Sequence, residues 1–327
     1  MAHELDMANG RANIAFTGDR KAIWHGLGQE IQEGSTIEQW IEAAGLNWEV
    51  KDADVTFSVP GEAPLFLPDL KVFKDRKVLY RSDNQSPLSV VSKDFKVVQP
   101  KEIVEFFRDL VEKNNMKLST AGSLFDGRRF WALAELGKDF EVVQGDKVSG
   151  HLLLTTAVDG SLNTTAKFVS TRVVCNNTLT IALNSASKGV VKVSHRAEWD
   201  ADQVKVDMGL IDESWASFIA NTRKLANTKI SQSQAYDFFK ELLVEDFDKD
   251  FTKAQERKVD NLMAFYNHGA GNQFGKDTLW NAVNAVTENF THGTGRRNPS
   301  HQFWDALYGF QNKLKDTAMS KALELAI

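Results

Sequence analysis

Side chains able to do acid–base or nucleophilic chemistry are thinly spread in this sequence. The seven histidines, His3, His25, His151, His195, His268, His292 and His301, show no paired metal-ligand spacing. A single cysteine, Cys175, excludes an internal disulfide and any cysteine-rich zinc module. Ahead of an expected helix start, an exposed Cys175 thiol would ionise more readily. Flanked by Val173 and Val174, it fits a buried structural role better. His25 lies in Trp24-His25-Gly26-Leu27-Gly28, a compact turn that indole packing can hold. Neither a phosphate-binding Gly-x-x-x-x-Gly-Lys-Thr/Ser loop nor a dinucleotide fingerprint is present. Glu245-Asp246-Phe247-Asp248-Lys249-Asp250 lacks the central Gly and terminal Glu of a calcium loop. An enzyme acting on nucleic acid needs clustered carboxylates or a metal; the nearest candidates are Asp126, Asp159 and Glu135, and the first two suit turns. The expectation is a protein without catalytic residues, metal or cofactor.

The cations suggest a different chemistry, contact with phosphate. The chain carries a formal net charge of −5, yet residues 160–197 hold no Asp or Glu and five cations: Lys167, Arg172, Lys188, Lys192 and Arg196. Residues 198–260 reverse the balance, with 14 acidic against 9 basic residues. A cationic surface concentrates polyanions, and each phosphate contact releases condensed counterions. Asn163, Thr164, Thr165, Ser170, Thr171, Asn176, Asn177 and Thr178 add side chains of the kind that bond phosphate and sugar. The bland alternative is a solvated sheet face partnered by the acidic helices downstream. A second acid-free stretch, 289–304, carries Arg296 and Arg297 in a Gly-rich loop. A third basic cluster, Lys71, Lys74, Arg76, Lys77 and Arg81, alternates with Val72, Phe73, Val78 and Tyr80. Cations interleaved with rings suit single strands, whose bases stack while the backbone is held by charge. In a half-buried strand the same rings belong to the core.

These residues need elements to place them. Ser35 and Glu38 have capping-box spacing before Ile37, Trp40, Ile41 and Ala44. Extended segments follow around Trp48–Phe57, Val72–Tyr80 and Val90–Val98, and Pro100 opens a helix carrying Ile103, Phe106, Phe107, Leu110 and Val111. Asp126-Gly127 and Asp159-Gly160, each between strand-like runs, signal two hairpins because such turns need positive φ. Asn176 or Asn177 is expected to cap a helix through Leu183, whose free N–H groups favour anions. Val190–Val193 returns to the sheet. Beyond residue 200 the apolar period becomes helical, in patterns near 215–225, 235–243, 253–266, 278–288 and 303–325. The expected fold class is α+β: an N-terminal antiparallel sheet with helices over residues 1–200, then an all-helical region over 201–327.

With 327 residues, 42% hydrophobic and 10% aromatic, the chain can bury a sizeable core, which excludes wholesale disorder. No apolar run approaches the roughly 20 residues that span a bilayer. The start Met1-Ala2-His3-Glu4-Leu5-Asp6 lacks a secretory signal pattern, so no membrane role and a cytoplasmic location are expected.

Several segments together resemble one family. They are Trp24-His25-Gly26-Leu27-Gly28, Phe95-Lys96-Val97-Val98-Gln99-Pro100, Ala121-Gly122-Ser123-Leu124-Phe125-Asp126-Gly127, Thr155-Thr156-Ala157-Val158-Asp159-Gly160 and Arg172-Val173-Val174-Cys175-Asn176-Asn177-Thr178-Leu179. Their order resembles the phage/plasmid-like family catalogued as domain of unknown function 932. The resemblance implies a mobile-element setting near recombination functions and, by analogy of architecture, a Rad52-type annealing protein. Together these readings give an expectation of a single-stranded-DNA-binding, strand-annealing protein that forms homo-oligomeric rings or filaments. Lys167, Arg172, Asn176, Lys188, Lys192 and Arg196 are the principal expected contacts, with Arg128, Arg129, Arg296 and Arg297 secondary. The competing expectation is a protein-binding anti-host-defence or regulatory factor.

Overall fold

Alternating apolar residues become strands in the first part of the chain, and three-to-four spacing becomes helix in the last. The computed structural model describes residues 6–8, 10–18, 27–58, 70–114, 116–172, 177–180, 189–208, 211–243, 252–292, 305 and 308–326. The order is β1 (Met7–Ala8), β2 (Arg11–Ala12), β3 (Ile14–Phe16), β4 (Gln29–Glu30), α1 (Ile37–Ala43), β5 (Val50–Ser58), β6 (Leu70–Arg81) and β7 (Pro87–Ser92). Next come α2 (Pro100–Glu105), α3 (Arg108–Asn114), β8 (Lys117–Leu124), β9 (Arg129–Glu141), β10 (Lys147–Ala157), β11 (Thr164–Arg172), β12 (Asn177–Thr180) and β13 (Val190–Val193). The remaining named elements are helices: α4 (Ala201–Asp207), α5 (Ile211–Asn227), α6 (Gln232–Leu243), α7 (Lys253–His268), α8 (Asn272–Gly275), α9 (Leu279–His292) and α10 (Phe310–Leu325).

The protein is thus mixed α and β. Its main sheet has the strand order β12-β11-β10-β9-β8-β3-β4, with β13 also on β11, and a second sheet has the order β5-β6-β7. The β3–β4 pair is parallel, a departure from the all-antiparallel expectation. Two compact units interleave along the chain: residues 1–134, 153–166 and 191–206 form the first, and 135–152, 167–190 and 207–327 the second.

Both Asp-Gly dipeptides lie between paired strands. At the first, Phe125, Asp126 and Gly127 take φ of 55°, 57° and 86°. At the second, Gly160 takes φ 74° and Asp159 Oδ1 accepts from the Ser161 amide at 2.9 Å. Other expectations are corrected. The cap of α1 is Thr36 with Gln39, one residue beyond the Ser35–Glu38 pair. The helix after Pro100 breaks into α2 and α3 at Phe106 and Phe107, which are both buried, edge to face with centroids 5.1 Å apart. Residues 95–98 form no strand. The expected Asn176/Asn177 helix start is instead β12, which pairs antiparallel with β11 from Val169↔Thr180 to Arg172↔Asn177. Sheet pairing overrides the local cap signal there.

Unit 1 is organised around a buried guanidinium. Arg81, at the end of β6, is 2% exposed, and its Nη1 donates to Asp6 Oδ2 at 2.7 Å. The same oxygen accepts from Asn13 Nδ2 at 2.8 Å and from Ser123 Oγ at 2.7 Å. Arg81 Nε and Nη2 donate to the two oxygens of Asp83 at 2.9 and 2.8 Å, and its ring neighbour Trp48 lies 4.1 Å below. Nη1 also reaches the Asp126 carbonyl oxygen at 3.3 Å. Gly127 makes room for this packing: a Cβ there would stand 2.7 Å from Arg81 Nη1 and 2.8 Å from the Trp48 ring. One side chain therefore joins the N-terminal segment, the root of β6, β8 and the first Asp-Gly turn.

In unit 2, α9 packs against α5, α7 and α10, and both α9 and α10 pack on β12. Trp215, Phe218 and Phe140 form an aromatic cluster, and Trp280 Nε1 donates to the buried Asp146 carboxylate at 2.9 Å. Asp6→Ala would leave the Arg81 guanidinium without its buried counter-charge. The expected loss is about 3 kcal/mol or more of unfolding free energy, measured by urea denaturation.

Candidate functional site

The sequence-derived cations separate sharply by placement. Asn176, Lys188, Arg296 and Arg297 lie outside the described residues. Arg172 ends β11, its backbone in register with Asn177. Lys167 points inward: it is 3% exposed, and its Nζ sits 4.2 Å from the centre of the Tyr308 ring. Its neighbours in unit 2 are ionisable as well. Burial raises the Asp316 pKa to about 6 against the pull of Lys167 and Lys315, and burial lowers that of Lys315 to about 8. That burial takes Lys167 out of any surface able to touch phosphate.

Four others, Arg128, Arg129, Lys192 and Arg196, belong to one corner of unit 1. The corner starts at the first Asp-Gly turn, where Arg128 Nε donates to the Phe125 carbonyl at 2.9 Å and its Nη2 lies 3.8 Å from Asp126. Arg129 is mostly covered, stacked over Phe125 at 4.3 Å with its Nη2 3.6 Å from Asp159, and its pKa is lowered by burial. The Val158 amide donates to the Arg128 carbonyl at 2.9 Å, which joins the first turn to the second. Ser89 Oγ donates to the Val158 carbonyl at 2.6 Å.

His195 closes the corner from the other side. It is buried and stacks on Phe95 at 4.3 Å, nearly parallel. Its Nδ1 stands 3.1 Å from the Lys96 carbonyl oxygen, and its Nε2 3.0 Å from that of Leu162, in the second turn. The Lys96 amide donates back to the His195 carbonyl at 2.6 Å, and Lys96 Nζ pairs with Glu198 at 2.5 Å. This fixed residue sits between Lys192 on β13 and Arg196, both exposed and, among the described residues, without an ion-pair partner. A fixed backbone carrying two solvent-facing cations is an arrangement that can attract anions.

The family model described as domain of unknown function (DUF932) matches residues 87–307. The chain belongs to this family. The DUF932 match includes both Asp-Gly turns, His195 and all four corner cations, whereas β5 and β6 precede it. No curated protein and no solved structure matches the chain.

His151 is buried on β10; burial drives its pKa down to about 4, against a backbone bond at Ser149 and the Asp139 charge, which both raise it. Among the described residues, no group of three or more His, Cys, Asp or Glu is placed to hold a metal ion, and no helix is long and apolar enough to cross a membrane. Asp126 and Asp159 face Arg128 and Arg129, while Glu135 lies on the part of β9 that belongs to unit 2. No local sequence signal marks His195 as a positioning residue, since its partners are carbonyls 33 and 99 residues away.

His151 resists protonation when folded and accepts it freely when unfolded, below about pH 6.5. Its contribution to stability is full above that value and is lost as pH falls towards 4. His151→Leu should therefore flatten the fall in urea midpoint between pH 6.5 and 4. His195→Phe keeps the stack on Phe95 but strips both carbonyls of the ring nitrogens they face. It is expected to cost about 1–3 kcal/mol and to speed hydrogen exchange in residues 93–98 and 160–166.

Proposed function

We propose that the protein binds single-stranded DNA through the basic corner of unit 1 and promotes strand annealing in homologous recombination, without catalytic chemistry. The observation that carries this reading is the pair Lys192 and Arg196, exposed on either side of the fixed His195. Arg128, half-exposed on the adjoining turn, extends the cationic surface. The held His195 fixes the backbone from which Lys192 and Arg196 project, so little backbone freedom is lost when they meet a phosphate strand. Annealing then needs only that the repulsion between two polyanions be screened while their bases stay free to pair.

The phage or plasmid setting, a cytoplasmic location and a homo-oligomeric ring or filament belong to this proposal, supported by the family resemblance and by the segregation of acidic and basic stretches. A head-to-tail contact between unlike surfaces either closes into a ring or propagates. Repetition of the corner along one strand would raise the effective concentration of each contact.

Fluorescence anisotropy of a labelled oligonucleotide across a salt series tests the reading. Affinity should fall steeply with salt, and Lys192→Ala with Arg196→Ala should reduce the slope of log affinity against log salt by about 1.4, at about 0.7 per phosphate contact. Undetectable or salt-insensitive binding at low ionic strength would overturn it.

A further inference from the structure

Strand β7 runs beside only the inner half of the ribbon formed by β5 and β6. It pairs with β6 only between Arg76 and Tyr80, and the Lys93 amide donates to the Asp75 carbonyl at 3.1 Å, so the strand pairing of residues 70–73 is with β5. Every residue from Leu70 to Arg76 is exposed, as is all of β5 outward from Lys51 except the half-buried Val55. An isolated two-stranded ribbon is marginal in water, and this one carries Phe57, Leu70, Val72 and Phe73, each between 45% and 59% exposed. These are four of the ten large apolar side chains exposed among the described residues. Such a concentration marks a contact surface.

Register divides the side chains between two faces. Val55 pairs with Phe73 and Phe57 with Lys71, which places both phenyl rings and a lysine on one face. Thr56 pairs with Val72 and Ser58 with Leu70 on the other. Between Asp54↔Lys77 and Val55↔Phe73 the register shifts, so Lys74, Asp75 and Arg76 have no partner on β5. Bulges of this kind re-aim side chains. Lys77 and Lys93 are neutralised by Asp52 and Asp54 at 2.9 and 3.1 Å, whereas Lys74 and Arg76 form no ion pair among the described residues.

We infer that this ribbon is a second binding site, for single-stranded nucleic acid, on which bases stack against Phe57 and Phe73 while Lys74 and Arg76 hold phosphates. Exposed rings and, next along β6, cations with no ion pair among the described residues match the two components of a single strand, its base faces and its charge. A second copy of the chain fits worse, because pairing ribbon to ribbon brings like charges together. The inference rests on the nucleic-acid reading of the basic corner and adds to it a place for the bases.

Three paired variants, Phe57→Ala/Phe73→Ala, Lys74→Ala/Arg76→Ala and Lys192→Ala/Arg196→Ala, separate the two ideas. Each is titrated into labelled oligothymidine and into a blunt duplex over a salt series. Circular dichroism and light scattering check fold and subunit number. The ring variant is expected to weaken oligothymidine binding about tenfold or more, with an unchanged salt slope and unchanged duplex affinity. The Lys74/Arg76 variant is expected to reduce the slope by about 1.4. Oligothymidine binding by both ribbon variants at wild-type strength, with the Lys192/Arg196 variant impaired, would remove the ribbon site and leave the corner standing. Equal loss on single strand and duplex in the ring variant would overturn stacking, and a fall in subunit number would assign the rings to self-association. Absence of binding by the wild-type protein would overturn both readings.

Discussion

The buried guanidinium of Arg81 is the constraint on which the rest of unit 1 depends. Removing a charge of this size from water costs several kcal/mol, and only close, well-directed partners offset it. Here Asp6 and Asp83 supply the counter-charge, the Asp126 carbonyl accepts a further bond and Trp48 covers one face. The two features with functional interest both begin at this point. Arg81 is the inner end of the β6 ribbon, and Asp126 opens the turn that carries Arg128 and Arg129.

Charge along the sequence and charge in space tell different stories in this protein. The acid-free tract 160–197 looks uniformly cationic, yet Lys167 is spent inside unit 2 beside Tyr308 and Asp316, while Lys192 and Arg196 face solvent. Formal net charge therefore overstates the contribution of that tract to any surface. In the ribbon, Asp52 neutralises Lys77, while Lys74 and Arg76 form no ion pair among the described residues.

Features set by neighbouring residues were legible in the sequence. The Asp-Gly turns follow from the ease with which Gly127 and Gly160 take positive φ, and α5, α6, α7, α9 and α10 from a three-to-four spacing that local chemistry alone defines. Features set by distant residues were not. Nothing near Arg81 announces Asp6, 75 positions earlier, and nothing near His195 announces the carbonyls of Lys96 and Leu162. The strand at Asn177–Thr180 likewise depends on the edge offered by β11. In the ribbon, alternation could not say which rings are covered, because coverage depends on how far β7 extends.

The division into interleaved units has a bearing on how the polypeptide acquires its shape. The chain passes between them five times, and the first three passages fall within β9, β10 and β11. A nascent chain that has reached residue 134 still lacks two pieces of its first unit, the later of which ends at residue 206. Neither unit is a detachable cassette, and a truncation placed anywhere between those positions leaves the first unit incomplete instead of freeing a module.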